Sequence, residues 1–441
     1  MLRMVGLQKA MVGAVSLLFL LLSYNLLKNR PTQTSARVSQ IHIPVHSQEM
    51  RLWGGDLHPL HPCWTNPTRL GARKPWGYVM VTCSHGPHYH RAQISDAVVV
   101  AQLLGATLVL PVIKEAHGEP GSNFEDLYYV KHFIATLEGI VRIVGRLPDE
   151  LKDINKTVVQ VPYQVTQAYI QDKIRPVFEK NTIISLESFS PATPSGAKEE
   201  AVAEIEATRC LVTHRSLLFV QPIQRIGDRL LSRMREAAQS HNGHFIAVDL
   251  RFDMLQQKLC NISIDGVHHK KRCFSPLELG LVLRSYGFLS DAAIYLTQSG
   301  LDKTLDALRS MYPNIFTKEY SMPFNEENQY LYSGNTQFEM AVDFYVCTHS
   351  DVFVSAAPGM FYTAVAAERI VAGHTQILAP TVKHRLSSRD LVLSLGISPF
   401  VTRREHPVYS CFCEKGADVK SLSQGLESLG PHPVQNDQLS V

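Results

Sequence analysis

The stretch Gly77–Pro111, GYVMVTCSHGPHYHRAQISDAVVVAQLLGATLVLP, decides the fold. Tyr78 to Cys83 is a short apolar run with two valines, the signature of a buried strand. Gly86-Pro87 can continue neither ladder nor helix, so Ser84–His90 is expected to be a loop. From Arg91 onward, Ile94, Ala97, Val98, Ala101 and Leu104 recur at helical spacing, and Gly105 is placed to close that helix. Thr107–Leu110 is the next apolar run, which Pro111 ends. Strand, helix and strand in this order make a βαβ unit and predict a parallel sheet. Ligands of such sheets lie beyond the carboxyl ends of the strands. The Ser84–His90 loop is therefore expected there, above a helix N-terminus that attracts anions.

The alternation resumes farther along. Phe245–Leu250 (FIAVDL) reads as a buried strand, and Ser275-Pro276-Leu277-Glu278 gives a capping box with proline at the first helical position. That helix should run to Tyr286, with Gly287 behind it. Ala293–Thr297 and Asp351–Ser355 are further strands; Leu301–Met311, Phe338–Cys347 and Met360–Val371 are further helices. With 441 residues the chain exceeds one ordinary core. The expected fold class is α/β: two Rossmann-like lobes, 63–240 and 241–413, with a cleft between them. Residues 28–62 read as a flexible stem and 414–441 as a disordered tail, both polar and without periodicity. A net charge of +3 argues against nucleic acid as a partner.

The N-terminus stands apart. Residues 10–27 are apolar except for Ser16, Ser23, Tyr24 and Asn25, are flanked by Lys9 and Lys28, and predict a transmembrane signal anchor behind a cytoplasmic tail, 1–9. A cleaved signal peptide is the alternative, but no small-residue cleavage site closely follows the leucine-rich core. The sequons at Asn155 and Asn261 favour a lumenal body. Of the eight cysteines, Cys260 and Cys273 bracket a short polar loop and are expected to pair. Cys83 and Cys347 lie in apolar runs, as inert core thiols do.

Arg251 is the strongest single candidate for chemistry. It follows the strand Phe245–Leu250 at the carboxyl end, and its forked donors suit a diphosphate. Pairing with Asp249 or Asp253 is its bland alternative. The segment Ser350–Gly359 leads from a strand into a helix, whose first N–H groups can hold a phosphate. His85, His88 and His90 share the first loop, but no cysteine or glutamate nearby completes a zinc set, so substrate contact is the better reading. The chain has no Asp-x-Asp, Gly-x-Ser-x-Gly, Walker A or Gly-x-Gly-x-x-Gly motif. No metal is expected, and any diphosphate would be met by Arg251 and helix dipoles.

Three blocks in order, Arg91-Ala92-x-Ile94-x-Asp96, Leu250-Arg251-Phe252-Asp253 and Ser350-Asp351-Val352-Phe353-Val354, resemble the plant O-fucosyltransferase family. Tyr312–Glu319 fits it too, and the Tyr409–Cys413 ending is most similar to its mannan synthesis-related branch. The resemblance implies a GT-B fold, a Golgi type II anchor and a GDP-sugar donor used without metal or other cofactor. It implies Arg251 as the diphosphate arginine and Asp253 as a candidate general base. Gly86, His88, Arg91, Asp249, Ser350, Asp351, Ser355 and Gly359 are the expected substrate-binding residues. Three positions depart from the family pattern: His88 stands where an asparagine contacts the donor, Asp249 where a histidine precedes Leu-Arg, and Pro358-Gly359-Met360 in place of Gly-Asn. The expected function is glycosyl transfer in cell-wall mannan synthesis, with a nucleotide sugar and a glycan acceptor as substrates and a mannan synthase or other glycosyltransferase as partner. The alternative is a non-catalytic accessory protein of a polysaccharide synthase.

Overall fold

The computed structural model describes residues 52–54, 58–64, 67, 76–114, 123–152, 154, 156–189, 203–250, 262–264, 267–269, 274–297, 303–321, 336–356, 359–384 and 391–414. The expected anchor 10–27, both sequon asparagines, Cys260, Cys273, Arg251 and Asp253 lie outside the described residues. Among the described residues no helix is long and apolar enough to cross a membrane.

Two six-stranded sheets carry the fold. The first holds β1 (Tyr78–Cys83), β2 (Thr107–Val109), β3 (Arg142–Val144), β4 (Thr157–Pro162) and β5 (Ile183–Phe189) in the order β3-β2-β1-β5-β4, with Val112–Ile113 also paired to β1. Its pairings are all parallel. The second holds β6 (Ile246–Asp249), β7 (Ile294–Leu296), β8 (Ile315–Phe316), β9 (Val352–Ser355), β10 (Ile377–His384) and β11 (Leu391–Ile397) in the order β8-β7-β6-β9-β10-β11. Only its β10–β11 pair is antiparallel. Helices α1 (Pro87–Leu104), α2 (Ala203–Leu211), α3 (Gln221–Ala237), α4 (Pro276–Tyr286), α5 (Thr336–His349) and α6 (Met360–Ala372) cover these sheets.

Period-two alternation divides each strand between two cores. Phe245 and Ala247 join Phe353, α1, α3, α5 and α6 in one apolar cluster that continues into the first sheet through Val79 and Val81. Ile246 and Val248 turn the other way, onto Leu279 and Leu283 of α4. The two sheets thus share a core. A buried ion pair lies within it: Lys318 Nζ donates to Asp343 Oδ2 at 3.0 Å, and the Tyr295 hydroxyl donates to Asp343 Oδ1 at 2.7 Å. Burial, opposed by Lys318, leaves the Asp343 carboxyl raised to about 6.

Several expectations hold residue by residue. α4 runs Pro276–Tyr286 with the Ser275/Glu278 capping box and Gly287 behind it, and Gly105 closes α1 at φ 66°. Others need correction. α1 begins at Pro87, not Arg91, because proline at the first helical position forgoes only an N–H that has no partner there. Where one helix was expected over Leu301–Met311, the described residues form a 3-10 turn, Lys303–Leu305, followed by a shorter helix, Asp306–Met311. The end of the expected stem packs on the body: Leu52 is buried beside Phe288, and His61–Pro62 pairs with Phe412–Cys413.

Those paired segments carry disulfides that spacing did not reveal. Cys63 joins Cys413 and Cys210 joins Cys411, with separations of 350 and 201 residues. Cys83 and Cys347 are buried and stand outside both disulfides, and burial pushes the Cys83 thiol up. Cross-links over such long loops remove much denatured-chain entropy. Replacing Cys210 and Cys411 together by serine should lower unfolding free energy by about 3 kcal/mol, measured by urea titration. An unchanged midpoint would show that this link does not form.

Candidate functional site

Strand order locates the ligand end of each sheet. In the first, β2 and β5 flank β1 on opposite sides; in the second, β7 and β9 flank β6. Crossovers reverse direction at such points and leave a crevice at the carboxyl edge. In the first sheet this is Ser84–Gly86. The Ser84 N–H donates to Gln93 Oε1 at 3.2 Å, and His85 and Gly86 follow with φ of 68° and 93°. A side chain on Gly86 would come within 2.9 Å of Met340 Sδ, so the turn needs glycine both for φ and for space.

The expectation that His85, His88 and His90 share a loop is corrected here. His85 is exposed, but His88 and His90 lie in the first turn of α1 and are 4% and 0% exposed. His88 packs edge-on against Phe361, ring centroids 5.3 Å apart. His90 Nδ1 lies 3.2 Å from the Tyr128 hydroxyl, and burial, with His85 adding to it, drops its pKa to about 3. Among the described residues no cluster of three or more His, Cys, Asp or Glu could hold a metal.

In the second sheet the crevice lies between β6 and β9. Asp249 and Ser355 end these strands in register. Thr297 Oγ1 donates to Asp249 Oδ1 and accepts from the Leu250 N–H, each at 3.2 Å. Gly359 caps α6 at φ 150°, and among the described residues nothing lies within 4 Å of where its side chain would be. Gly86 and Gly359 occupy equivalent places, each two residues before His88 or Phe361. The His88–Phe361 contact therefore sets the two carboxyl-edge turns side by side. Asp249, Ser355 and Gly359 thus lie at the carboxyl edge of the second sheet and Gly86 and His88 at that of the first, and Arg251 follows Asp249 by two residues.

Ser350 and Asp351 do not join them. They precede β9, at the opposite edge of the sheet. Ser350 Oγ donates to the Cys347 carbonyl at 3.1 Å and accepts from Arg369 Nη1 at 3.0 Å. Asp351 accepts from the Phe245 N–H at 3.0 Å and pairs with His244 Nδ1 at 2.8 Å. Asp351 ties the start of β9 to the start of β6, Ser350 holds the turn between α5 and β9, and both side chains are engaged structurally where substrate contact was expected.

Arg91 faces a different space, a cavity of about 190 Å³ walled by α1, α2, α6 and the segment 406–411. Its Nη1 donates to Glu368 Oε1 at 2.8 Å and to the Thr213 carbonyl, and its guanidinium lies 5.1 Å from the Phe344 ring centre. His214 Nδ1 meets the same Glu368 oxygen at 3.0 Å. Thr213 and His214 belong to a π-helical turn, Val212–Ser216, a geometry that recurs at functional sites. Farther along α1, Asp96 pairs with Arg209 and accepts from the N–H groups of Gln164 and Val165 at 3.0 and 3.1 Å. Burial works against ionisation of Glu368, but Arg91 and His214 outweigh it and bring the carboxyl to about 2. Sequence reading missed Glu368, His214 and Arg209; the only signal was a charged pair, Glu368-Arg369, inside an apolar helix.

Comparison with known proteins now adds to this geometry. Residues 78–372 match the model of the GDP-fucose protein O-fucosyltransferase family. The chain belongs to that family. Its relatives include Protein MANNAN SYNTHESIS-RELATED 1 of Arabidopsis thaliana, 38% identical over 82% of this chain and 84% of that one. Protein MANNAN SYNTHESIS-RELATED of Trigonella foenum-graecum is 35% identical over 80% and 84%. Among solved structures, the fucosyltransferase NodZ from Bradyrhizobium superposes with a TM-score of 0.41 at 14% identity, over 73% of this chain and 99% of that one. The fucosyltransferase family is a family of glycosyltransferases, and its model spans both crevices and ends with α6.

The Glu368 network has a pH signature. A carboxyl held below its ordinary 4.5 stabilises the fold above that pH, and the contribution disappears as pH falls through about 2. Glu368→Gln should be less stable than the natural chain at pH 7 by about 3 kcal/mol. Urea midpoints measured between neutral and acid pH should converge below 4.5. A pH-independent difference would contradict the assignment.

Proposed function

We propose that this chain is a Golgi glycosyltransferase of cell-wall mannan synthesis, with GT-B architecture, a type II membrane anchor and a lumenal body. It takes a GDP-sugar as donor, transfers the sugar to a glycan without a metal ion, and works beside a mannan synthase or another glycosyltransferase. The observation that carries this reading is 38% identity to a mannan synthesis-related protein over 82% of the chain. Several features support it. The two crevices meet at His88 and Phe361, as a donor held between lobes requires. Arg251 follows the strand that ends in one of them, where a guanidinium can meet the charge that develops on a departing diphosphate. Asp253 is in reach along the chain to act as base. Two disulfides suit an oxidising compartment.

A second reading, a non-catalytic accessory protein, is favoured by one observation. His88, at the family's donor-contacting asparagine position, is packed against Phe361. Calorimetry of the purified chain with GDP and UDP, with and without chelator, followed by a transfer assay on mannan, separates the two. Guanine-nucleotide binding that survives chelation is expected. Arg251→Ala should keep the fold and reduce transfer by about 10²–10³-fold. Absence of GDP binding, together with normal mannan in plants rescued by Arg251→Ala, would establish the accessory role instead.

A further inference from the structure

We propose that the cavity beside Arg91 and Glu368 is a saccharide subsite that takes one neutral sugar ring of the glycan acceptor. The inference rests on the glycosyltransferase reading and assigns the site that reading leaves open. Size is the first argument. At about 190 Å³ the cavity is smaller than the ~300–1,000 Å³ of pockets for drug-sized ligands, so a nucleotide sugar does not fit, whereas a single ring does.

Charge is the second. Both guanidiniums are already matched, Arg91 by Glu368 and Arg209 by Asp96. Among the described residues lining the cavity, neither guanidinium is left over for a phosphate or carboxylate, which argues for an uncharged ligand. Hydrogen-bonding capacity nevertheless remains. Glu368 Oε1 receives both Arg91 and His214, while Oε2 makes no hydrogen bond among the described residues. Ser95 Oγ and Arg91 Nε are buried without a partner there, in residues 3% and 8% exposed. Ala92, Ala364, Ala367 and Met360 supply an apolar wall. Hydroxyls for the polar groups and a C–H face for the alanines are what a pyranose presents. His88, two residues past the Gly86 turn, and Met360, next to Gly359, line this cavity, so a chain seated here would lead toward the proposed donor crevice.

Ala364→Phe, which fills the cavity from α6, tests the proposal in the full chain. Calorimetry would use a short mannan oligosaccharide, inorganic phosphate and GDP as separate probes. The natural chain should bind the oligosaccharide and not phosphate, and Ala364→Phe should weaken the oligosaccharide at least about tenfold while GDP affinity and thermal midpoint stay unchanged. Equal oligosaccharide affinity in a folded variant, or binding of phosphate displaced by Ala364→Phe, overturns the proposal. GDP binding without oligosaccharide binding overturns it and leaves the donor reading standing; the reverse result supports it and removes the donor reading. If Ala364→Phe fails to fold, NMR of the natural chain decides. The His214 ring signals should move on adding oligosaccharide, and unmoved signals at saturation refute the site.

Discussion

The contact between Arg91 and Glu368 couples the two halves of the molecule. Arg91 stands in the helix that follows β1, Glu368 in the helix that follows β9. A guanidinium 8% exposed cannot be left without an anion, and stranding it would cost about 3–5 kcal/mol. The pair therefore holds α1 and α6 together one to two turns from their N-termini. Those N-termini are the Gly86 and Gly359 turns, the carboxyl edges of the two sheets. An ion pair that touches no crevice thus fixes the separation of both, and the apolar contact of His88 with Phe361 completes it.

Local rules made much of this legible and long-range ones did not. The capping box at Ser275 and the glycine after Leu104 act within a few residues, so α4 and the end of α1 could be read directly. The histidines could not. A His-rich run after a Gly-Pro looks like a polar loop, yet Pro87 starts a helix and turns His88 and His90 into the core. Cys63–Cys413 was hidden for the same reason: its partners are 350 residues apart, whereas sequence spacing favours neighbours such as Cys260 and Cys273.

The Ser350-Asp351 block shows how a motif can be real and its role misplaced. Its residues lie at the amino edge of β9, and Arg369, 0% exposed, explains them. The guanidinium donates to the carbonyls of Ser350 and Asp351 at 2.6 and 2.9 Å, satisfying backbone groups where α5 turns into β9. Asp351 then reaches across to the Phe245 N–H at the start of β6. A motif that sets the register of the two strands flanking the switch point shapes the crevice from the far end, without touching a ligand.

On the proposed function, the two spaces on α1 divide the electrostatic work that glycosyl transfer demands. A departing diphosphate needs positive charge, and Arg251 follows the strand that ends in the crevice of the second sheet. A glycan needs the opposite, polar groups whose charges are already matched, because an unpaired ion beside a neutral ring would have to be desolvated with nothing in return. The cavity meets that condition through Arg91 with Glu368 and Arg209 with Asp96. On the proposed reading, the same pairing that locks the helices also makes their shared face suitable for sugar, so strength of assembly and choice of ligand come from one set of charges.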